Sequence, residues 1–259
     1  ALVSSSQNIN GHWSAFVYAD LPIAATKTIA AAKKWKDDNS YNSGYSKVFW
    51  PQAKNGGDVY HLATLALVEK LRCDLKNGNV PFETDGNKTL AVTGLYFGDG
   101  VNLPGFDKQD ANELTAHGIS TAIYWEGNWR TWGDHTAAYT FGGSHKAREI
   151  FDVNMIMLFY IANSFQKEWG TTIDQPMTTA LRDTILNREQ EKLDGLVAQG
   201  ALIGSPKVEF LDSNNEESEI LNGNFRWDIA ATNTPPLKSA TGVVCYTDAG
   251  FSTYFGGEA

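Results

Sequence analysis

Two hydrophobic periods alternate along the first half of the chain. Residues 14–19 (S-A-F-V-Y-A) form a short apolar run closed by Asp20-Leu21-Pro22, which predicts a buried strand. Residues 24–36, rich in Ala and Lys, predict a helix. A second apolar run at 47–50 is stopped by Pro51. Residues 59–75 then set Leu62, Leu65, Ala66 and Leu71 near helical spacing, with Lys76-Asn77-Gly78 as the stop. Residues 90–97 (L-A-V-T-G-L-Y-F) read as strand again. Strands alternating with helices favour a parallel or mixed sheet covered by helices. A short helix over 107–116, capped by Asp107, leads into two runs at 121–125 and 128–132. Glu126-Gly127 separates them, a hairpin signal rich in Trp and Tyr.

The second half changes character. Residues 148–169 predict one long helix, with Phe151, Met155, Leu158, Ala162 and Phe165 as its apolar stripe. Residues 178–199 predict another, carrying Leu181, Ile185, Leu193, Leu196 and Val197 and stopped by Gly200. Two strand signals follow at 207–211 and 224–230, where Phe225, Trp227 and Ile229 alternate with polar residues. Thr234-Pro235-Pro236 breaks the pattern. Beyond it, 242–247 and 251–255 are strand-like, and such a tail is as well suited to the edge of another molecule as to its own sheet. The expected architecture is α/β plus α+β. A partial α/β layered domain spans 1–118, and a domain over 119–259 packs two long helices on an antiparallel sheet and ends in a strand-like arm, 237–259.

Composition narrows the function classes. A chain of 259 residues holds one large domain or two ordinary ones and needs no disulfide or metal to build a core. Its net charge of −9, from 21 basic and 30 acidic residues, argues against neutralising nucleic-acid phosphates or docking on an anionic membrane face. The longest apolar run, 155–162, is far short of a membrane span, and no signal-peptide pattern is present. Cys73 and Cys245 fall in a helical and a strand pattern and read as reduced, partly buried thiols.

Candidate chemistry is sparse. Trp125, Trp129 and Trp132 on the hairpin offer faces on which a sugar or a base stacks, but such residues also pack well on a pleated surface. The five histidines, His12, His61, His117, His135 and His145, lack ligand spacing with one another or with the cysteines. Glu126 and Asp134 flank the second hairpin strand, as a glycosidase pair would, and as solvated acids also do. The glycines at 97–100 and 141–143 lack the spacing and following Lys of a phosphate loop, and no G-x-S-x-G element marks a nucleophile. No catalytic, metal-binding or cofactor-binding residues are therefore expected. Arg130 and Arg148 are candidate interface charges in a chain that offers many carboxylates to pair with.

From Pro81 onward a series of motifs recurs in a recognisable order. Pro81-Phe82-Glu83 followed by Asn87-Lys88 resembles a P-x-E-S-P-S-N-K element, with Thr84-Asp85-Gly86 departing from it. Asn112-Glu113-Leu114 and His117-Gly118-Ile119 resemble an N-x-L…x-G-I element. Asn128-Trp129-Arg130-Thr131-Trp132-Gly133-Asp134-His135-Thr136 is similar to G-W-R-x-W-G-N-R-T, with Asp134 for the usual Asn and His135 for the usual Arg. Ile173-Asp174-Gln175-Pro176-Met177-Thr178 is similar to V-D-K-P-M-T, and Gly200-Ala201-Leu202-Ile203-Gly204 to the glycine-flanked stretch that follows. This series resembles the contractile tail sheath family of phages and phage-like injection machines. Residues 1–80 match only in layout, and the family's N-terminal arm is not evident, so the chain is expected to be the C-terminal part of a longer subunit.

The resemblance implies a non-enzymatic structural subunit of a virion tail, assembled in the host bacterial cytoplasm. It would polymerise around a tail tube and contract to drive the tube through a cell envelope. Implied partners are neighbouring sheath subunits, the tube protein and the baseplate, with no nucleic acid, membrane insertion or cofactor. The arm residues Val243, Val244, Cys245, Tyr246, Phe251 and Tyr254 are the expected inter-subunit contacts. Arg130, Arg148, Arg182 and Arg188 are candidate interface charges, and the charged helix over 178–199, including Asp183, Glu189, Glu191 and Lys192, is a candidate tube contact. The alternatives are a carbohydrate-active or hydrolase-like α/β domain, or a carbohydrate-binding one, using the Trp-rich hairpin.

Overall fold

A computed structural model describes residues 2–254. The first part of the chain contributes α1 (Leu2–Ser6), β1 (Val17–Asp20), α2 (Ile29–Asp38), β2 (Ser46–Phe49), β3 (Gln52–Asn55), β4 (Asp58–Tyr60) and α3 (Leu62–Lys76). Then come β5 (Thr89–Leu90), β6 (Gly94–Tyr96), α4 (Lys108–Thr115), β7 (Ile119–Trp125) and β8 (Asn128–Trp132). The remainder supplies α5 (Asp152–Trp169), α6 (Thr179–Ala198), β9 (Leu202–Glu209), α7 (Glu217–Leu221) and β10 (Asp228–Asn233). The result is a mixed α/β architecture.

Side-chain oxygens fix several helix starts. Thr28 accepts from Ala31 N–H at 3.1 Å, Thr178 accepts from Leu181 N–H at 3.1 Å, and Asp107 and Asp110 close a capping box. The helix predicted over 148–169 starts later, at Asp152, behind a single 3-10 turn at Ala147–Glu149.

The main sheet has the order β1-β2-β7-β8-β5. β1, β2 and β7 run parallel, and β8 and β5 complete it antiparallel. The β7–β8 hairpin turns on Glu126 and Gly127, both with positive φ (50° and 82°), as the right-handed twist of a two-residue hairpin requires. Because β7 pairs with β2, this sheet crosses the expected division at 118/119. The run 90–97 is also split, β5 joining the main sheet and β6 a small β4-β3-β6 sheet.

β2 is buried along its whole length because helices cover both faces of the sheet. Val48, Trp50 and Ile119 meet α2 and α4 through Ala32 and Leu114. Phe49, Ala122 and Leu90 meet α3 through Leu62, Ala63 and Ala66. A third apolar cluster joins α5, α6 and β9 through Met157, Ile161, Leu193, Leu196, Leu202 and Val208.

Lys47 interrupts this apolar strand at its centre, and it is completely buried. Its Nζ donates to Asp85 Oδ1 at 2.8 Å, Asp152 Oδ2 at 2.6 Å and the Gly133 carbonyl at 3.0 Å. Tyr18 from β1 also donates to Asp85 Oδ1, at 2.9 Å, and Thr84 to Asp152 Oδ2, at 3.1 Å. Gly133 is obligatory here. Its φ is +128°, and a Cβ would stand 2.5 Å from Ser120 Oγ. Asp152 is the first residue of α5, so its side chain stands at the positive end of the helix dipole as well as beside Lys47.

One cation faces two carboxylates with no solvent to share the excess charge. Burial alone would depress Lys47, but Asp152 and Asp85 outweigh it and hold the ammonium charged. Burial pushes Asp85 up to about 6 against the pull of Lys47, and the charge of Asp152 adds to the rise. Burial, reinforced by Asp85, pushes the Tyr18 phenol well up.

Removing the cation leaves two buried carboxylates facing each other. Lys47→Met is expected to cost about 3–5 kcal/mol in urea unfolding at neutral pH, and a loss under about 1 kcal/mol would contradict the account. Asp85 ionises at about 3.9 when unfolded but near 6 when folded. Between those values the folded state holds the extra proton, so this residue's contribution falls as pH rises, by up to roughly 1.4 kcal/mol per pH unit. Urea midpoints across that window should show wild type losing stability relative to Asp85→Asn as pH rises; the opposite slope would refute it.

Candidate assembly surface

The α5–α6 pair is clamped by polar groups at one end. Trp169 Nε1 donates to Glu189 Oε1 at 2.6 Å, Lys192 Nζ donates to the same oxygen at 2.7 Å, and Lys192 also pairs with Glu168. Glu189 is buried by these contacts, so it is not a surface charge of the helix as expected from the sequence. Lys192 and Arg188 likewise reach Glu168 on α5, Arg188 at 3.5 Å and over the Trp169 ring. The helix charges left facing outward include Arg182 and Asp183, paired with each other at 2.7 Å.

The sheet over this helix pair has two antiparallel strands, β9 and β10, and neither outer edge carries a further strand among the described residues. α6 packs under β9, whereas α5 is only partly covered by β10. The gap is an apolar groove of about 330 Å³ lined by Leu158, Ala162 and Phe165 of α5 and by Trp227, Ile229 and Ala231. Past Phe165 and Trp227 the groove opens into a wider cleft of about 740 Å³ bounded by Trp169, Pro176 and Phe225.

The C-terminal tail leaves from β10. Residues 234–248 have no regular structure, and a single 3-10 stretch follows at Ala249–Thr253. The strands expected at 242–247 and 251–255 are therefore not formed within one chain, and Phe255 lies outside the described residues. Every residue from 237 to 251 is exposed. Val243, Val244 and Tyr246 stand 84%, 96% and 84% exposed, and Phe251 and Tyr254 are exposed as well. Cys73 is buried in α3, but Cys245 is exposed, contrary to the expectation that both thiols are partly covered.

Other candidates fall elsewhere. Arg130 sits mid-strand in β8, half-buried, donating to the Asn87 carbonyl at 3.1 Å. Arg148 is exposed beside Glu149, 3.7 Å away. Lys108 Nζ occupies the aromatic faces of the hairpin, 4.5 Å from the Trp125 ring and 5.3 Å from that of Trp132, while Trp129 packs edge-on against Tyr124. Glu126 lies at the hairpin tip and Asp134 past the far end of β8, so the two acids do not face each other. His61 and His117 bond Asp20 and Asp37 at 2.7 and 2.8 Å, and His135 is stacked between Tyr139 and Phe151. Among the described residues no group of His, Cys, Asp and Glu is arranged to hold a metal ion, and no helix is long and apolar enough to cross a membrane.

The sequence pattern missed the polar groups that matter most to this geometry. Lys47, Asp85 and Asp152 are far apart in the chain, and only the presence of a lysine inside an apolar run hinted that a buried partner was needed.

No protein-family model matches the chain. The chain is 27% identical over 238 residues to the major tail sheath protein of Serratia phage KSP20, covering 88% of this chain and 56% of that protein. A match of that extent is longer than the segment after Pro81, so the likeness includes part of residues 1–80 and not only their layout. Among solved structures, the anti-feeding prophage baseplate contains a chain that superposes with a TM-score of 0.70 at 15% identity, over 95% of this chain and 63% of that one. The contracted sheath complex of the extracellular contractile injection system PVC gives a TM-score of 0.67 at 16% identity, over 90% of this chain and 63% of that one. The chain thus spans a little over half the length of the curated relative. It is similar to a phage major tail sheath protein along most of its length, and its fold is one found in chains of contractile injection-system particles.

Proposed function

We propose that this chain is part of a contractile sheath subunit that polymerises around a tail tube on a baseplate in a virion tail or injection particle. The observation that carries the reading is the likeness to a tail sheath protein along most of the chain. Two features of the chain itself support it. A tail bearing Val243, Val244, Tyr246 and Phe251 is exposed, and a two-stranded sheet leaves one face of α5 bare.

A third strand laid beside β10 would cover that face, and an exposed tail with strand-forming residues is suited to supply it. Pairing of this kind rests on main-chain hydrogen bonds, so it holds neighbours while their bodies rotate. The tail would reach a neighbouring copy, making every subunit both donor and acceptor in a continuous lattice. Contraction then proceeds by rigid-body rotation and repacking of subunits, with no cofactor supplied by this chain.

Truncating the full-length protein after Lys238 is expected to leave a folded, monodisperse subunit that forms no tubes in negative-stain micrographs; tubes of normal length and yield would overturn arm exchange. Ala162 is exposed in the groove, so Ala162→Trp fills it without disturbing the core. That variant should keep its melting temperature and raise the concentration needed for polymerisation about tenfold or more, a loss of roughly 1.4 kcal/mol per contact. An unchanged threshold would remove the groove from the account.

A further inference from the structure

The point at which the tail leaves the body is fixed by more than the end of β10. Thr234 is the last residue held by the β9 side, its N–H donating to the Ala201 carbonyl at 3.1 Å and its hydroxyl to the Gly200 carbonyl at 2.6 Å. Pro235 and Pro236 stiffen the next step. Lys238 then turns back and its Nζ pairs with Asp134 Oδ1.

Asp134 is an unusual residue for a surface tether. Its side chain is only 10% exposed, and its own carbonyl accepts from the Asp152 N–H at 3.1 Å, next to the buried cluster around Lys47. The preceding Gly133 carbonyl accepts from Lys47 itself. His135 Nε2 lies 3.7 Å from Asp134 Oδ1, but its ring is stacked on Tyr139 at 3.6 Å and its Nδ1–H donates to the Ile150 carbonyl at 3.0 Å. Burial holds that imidazole below its usual range, with Asp134 opposing the shift and the Lys238 charge adding to it. The cation for a nearly buried carboxylate is therefore supplied by the tail. A carboxylate in such a place is costly without its partner, which gives the contact a reason to persist where an exposed pair would not.

We propose that the Lys238–Asp134 pair is a latch that sets where the arm begins, so that residues through Lys238 move with the body and the free segment starts at Ser239. The Gly133–His135 turn is then the junction through which a pull on the arm reaches the centre of the main sheet and the start of α5, bypassing β10. The use of this latch in assembly rests on the arm-exchange reading above. Its existence does not, because it is a property of the isolated chain.

The test is backbone 15N relaxation, read residue by residue on the isolated chain, for wild type, Lys238→Met, Lys238→Arg and Asp134→Asn. Wild type should be ordered up to Lys238 and mobile from Ser239. In Lys238→Met and Asp134→Asn, order parameters at residues 237 and 238 should fall into the flexible range, below about 0.6, with β9 and β10 unaffected. Lys238→Arg should keep wild-type order, since the charge and reach are retained. If Lys238→Met, a substitution at an exposed tail position, relaxes like wild type at these two residues, the latch is refuted. The outcome needs no polymer, so it is separable from arm exchange. Tubes of normal length and yield from the full-length protein truncated after Lys238 would count against arm exchange alone.

Discussion

The structure depends on one ammonium group placed where nothing polar would ordinarily be tolerated. Lys47 lies at the centre of the main sheet and binds carboxylates from two distant segments, Asp85 after α3 and Asp152 at the head of α5. Apolar packing joins these layers without direction, whereas this cluster fixes one relative placement, because the buried ammonium is satisfied only where Asp85, Asp152 and the Gly133 carbonyl meet it. The helix pair is thereby set against the main sheet by its first residue. A body built this way can rotate as a unit, as the proposed repacking of subunits demands.

The same turn that closes the cluster, Gly133 to His135, also holds the root of the tail. Central sheet, helix pair and arm thus converge on three consecutive residues. The separation of roles is physical. The body is held by buried, directional contacts, whereas the arm presents exposed apolar side chains on a backbone that forms no strand in one chain. Exposed strand-prone segments ordinarily invite aggregation. In the proposed arm exchange, the groove beside β10 is the destination of such a segment.

Much of the fold was legible in the sequence because its signals are local. Asp107 announced a helix start, Glu126-Gly127 announced the hairpin, and the stripe of Met155, Leu158, Ala162 and Phe165 announced the helix of which they form one side. What local patterns did not carry was pairing across distance. The run 90–97 looked like one strand and serves two sheets, and β7 was grouped with the later residues although it pairs with β2. The charged helix over 178–199 was read as a candidate tube contact, yet Glu189 is buried under Trp169 and Lys192, since periodicity cannot say which polar residue faces a neighbouring helix. The arm residues were readable as strand-forming, and that propensity is unmet inside one molecule. The family likeness was legible in motif order from Pro81, and the longer match to a tail sheath protein extends it toward the N-terminal side.

The most direct test is a cryo-EM map of the polymer formed by the full-length protein. The account predicts density for residues 242–247 as a third strand alongside β10, lying over Leu158 and Ala162, with the connecting density running back to a different copy. Well-ordered tubes in which the arm folds onto its own body, or in which the face of α5 is covered by some other segment, would contradict it.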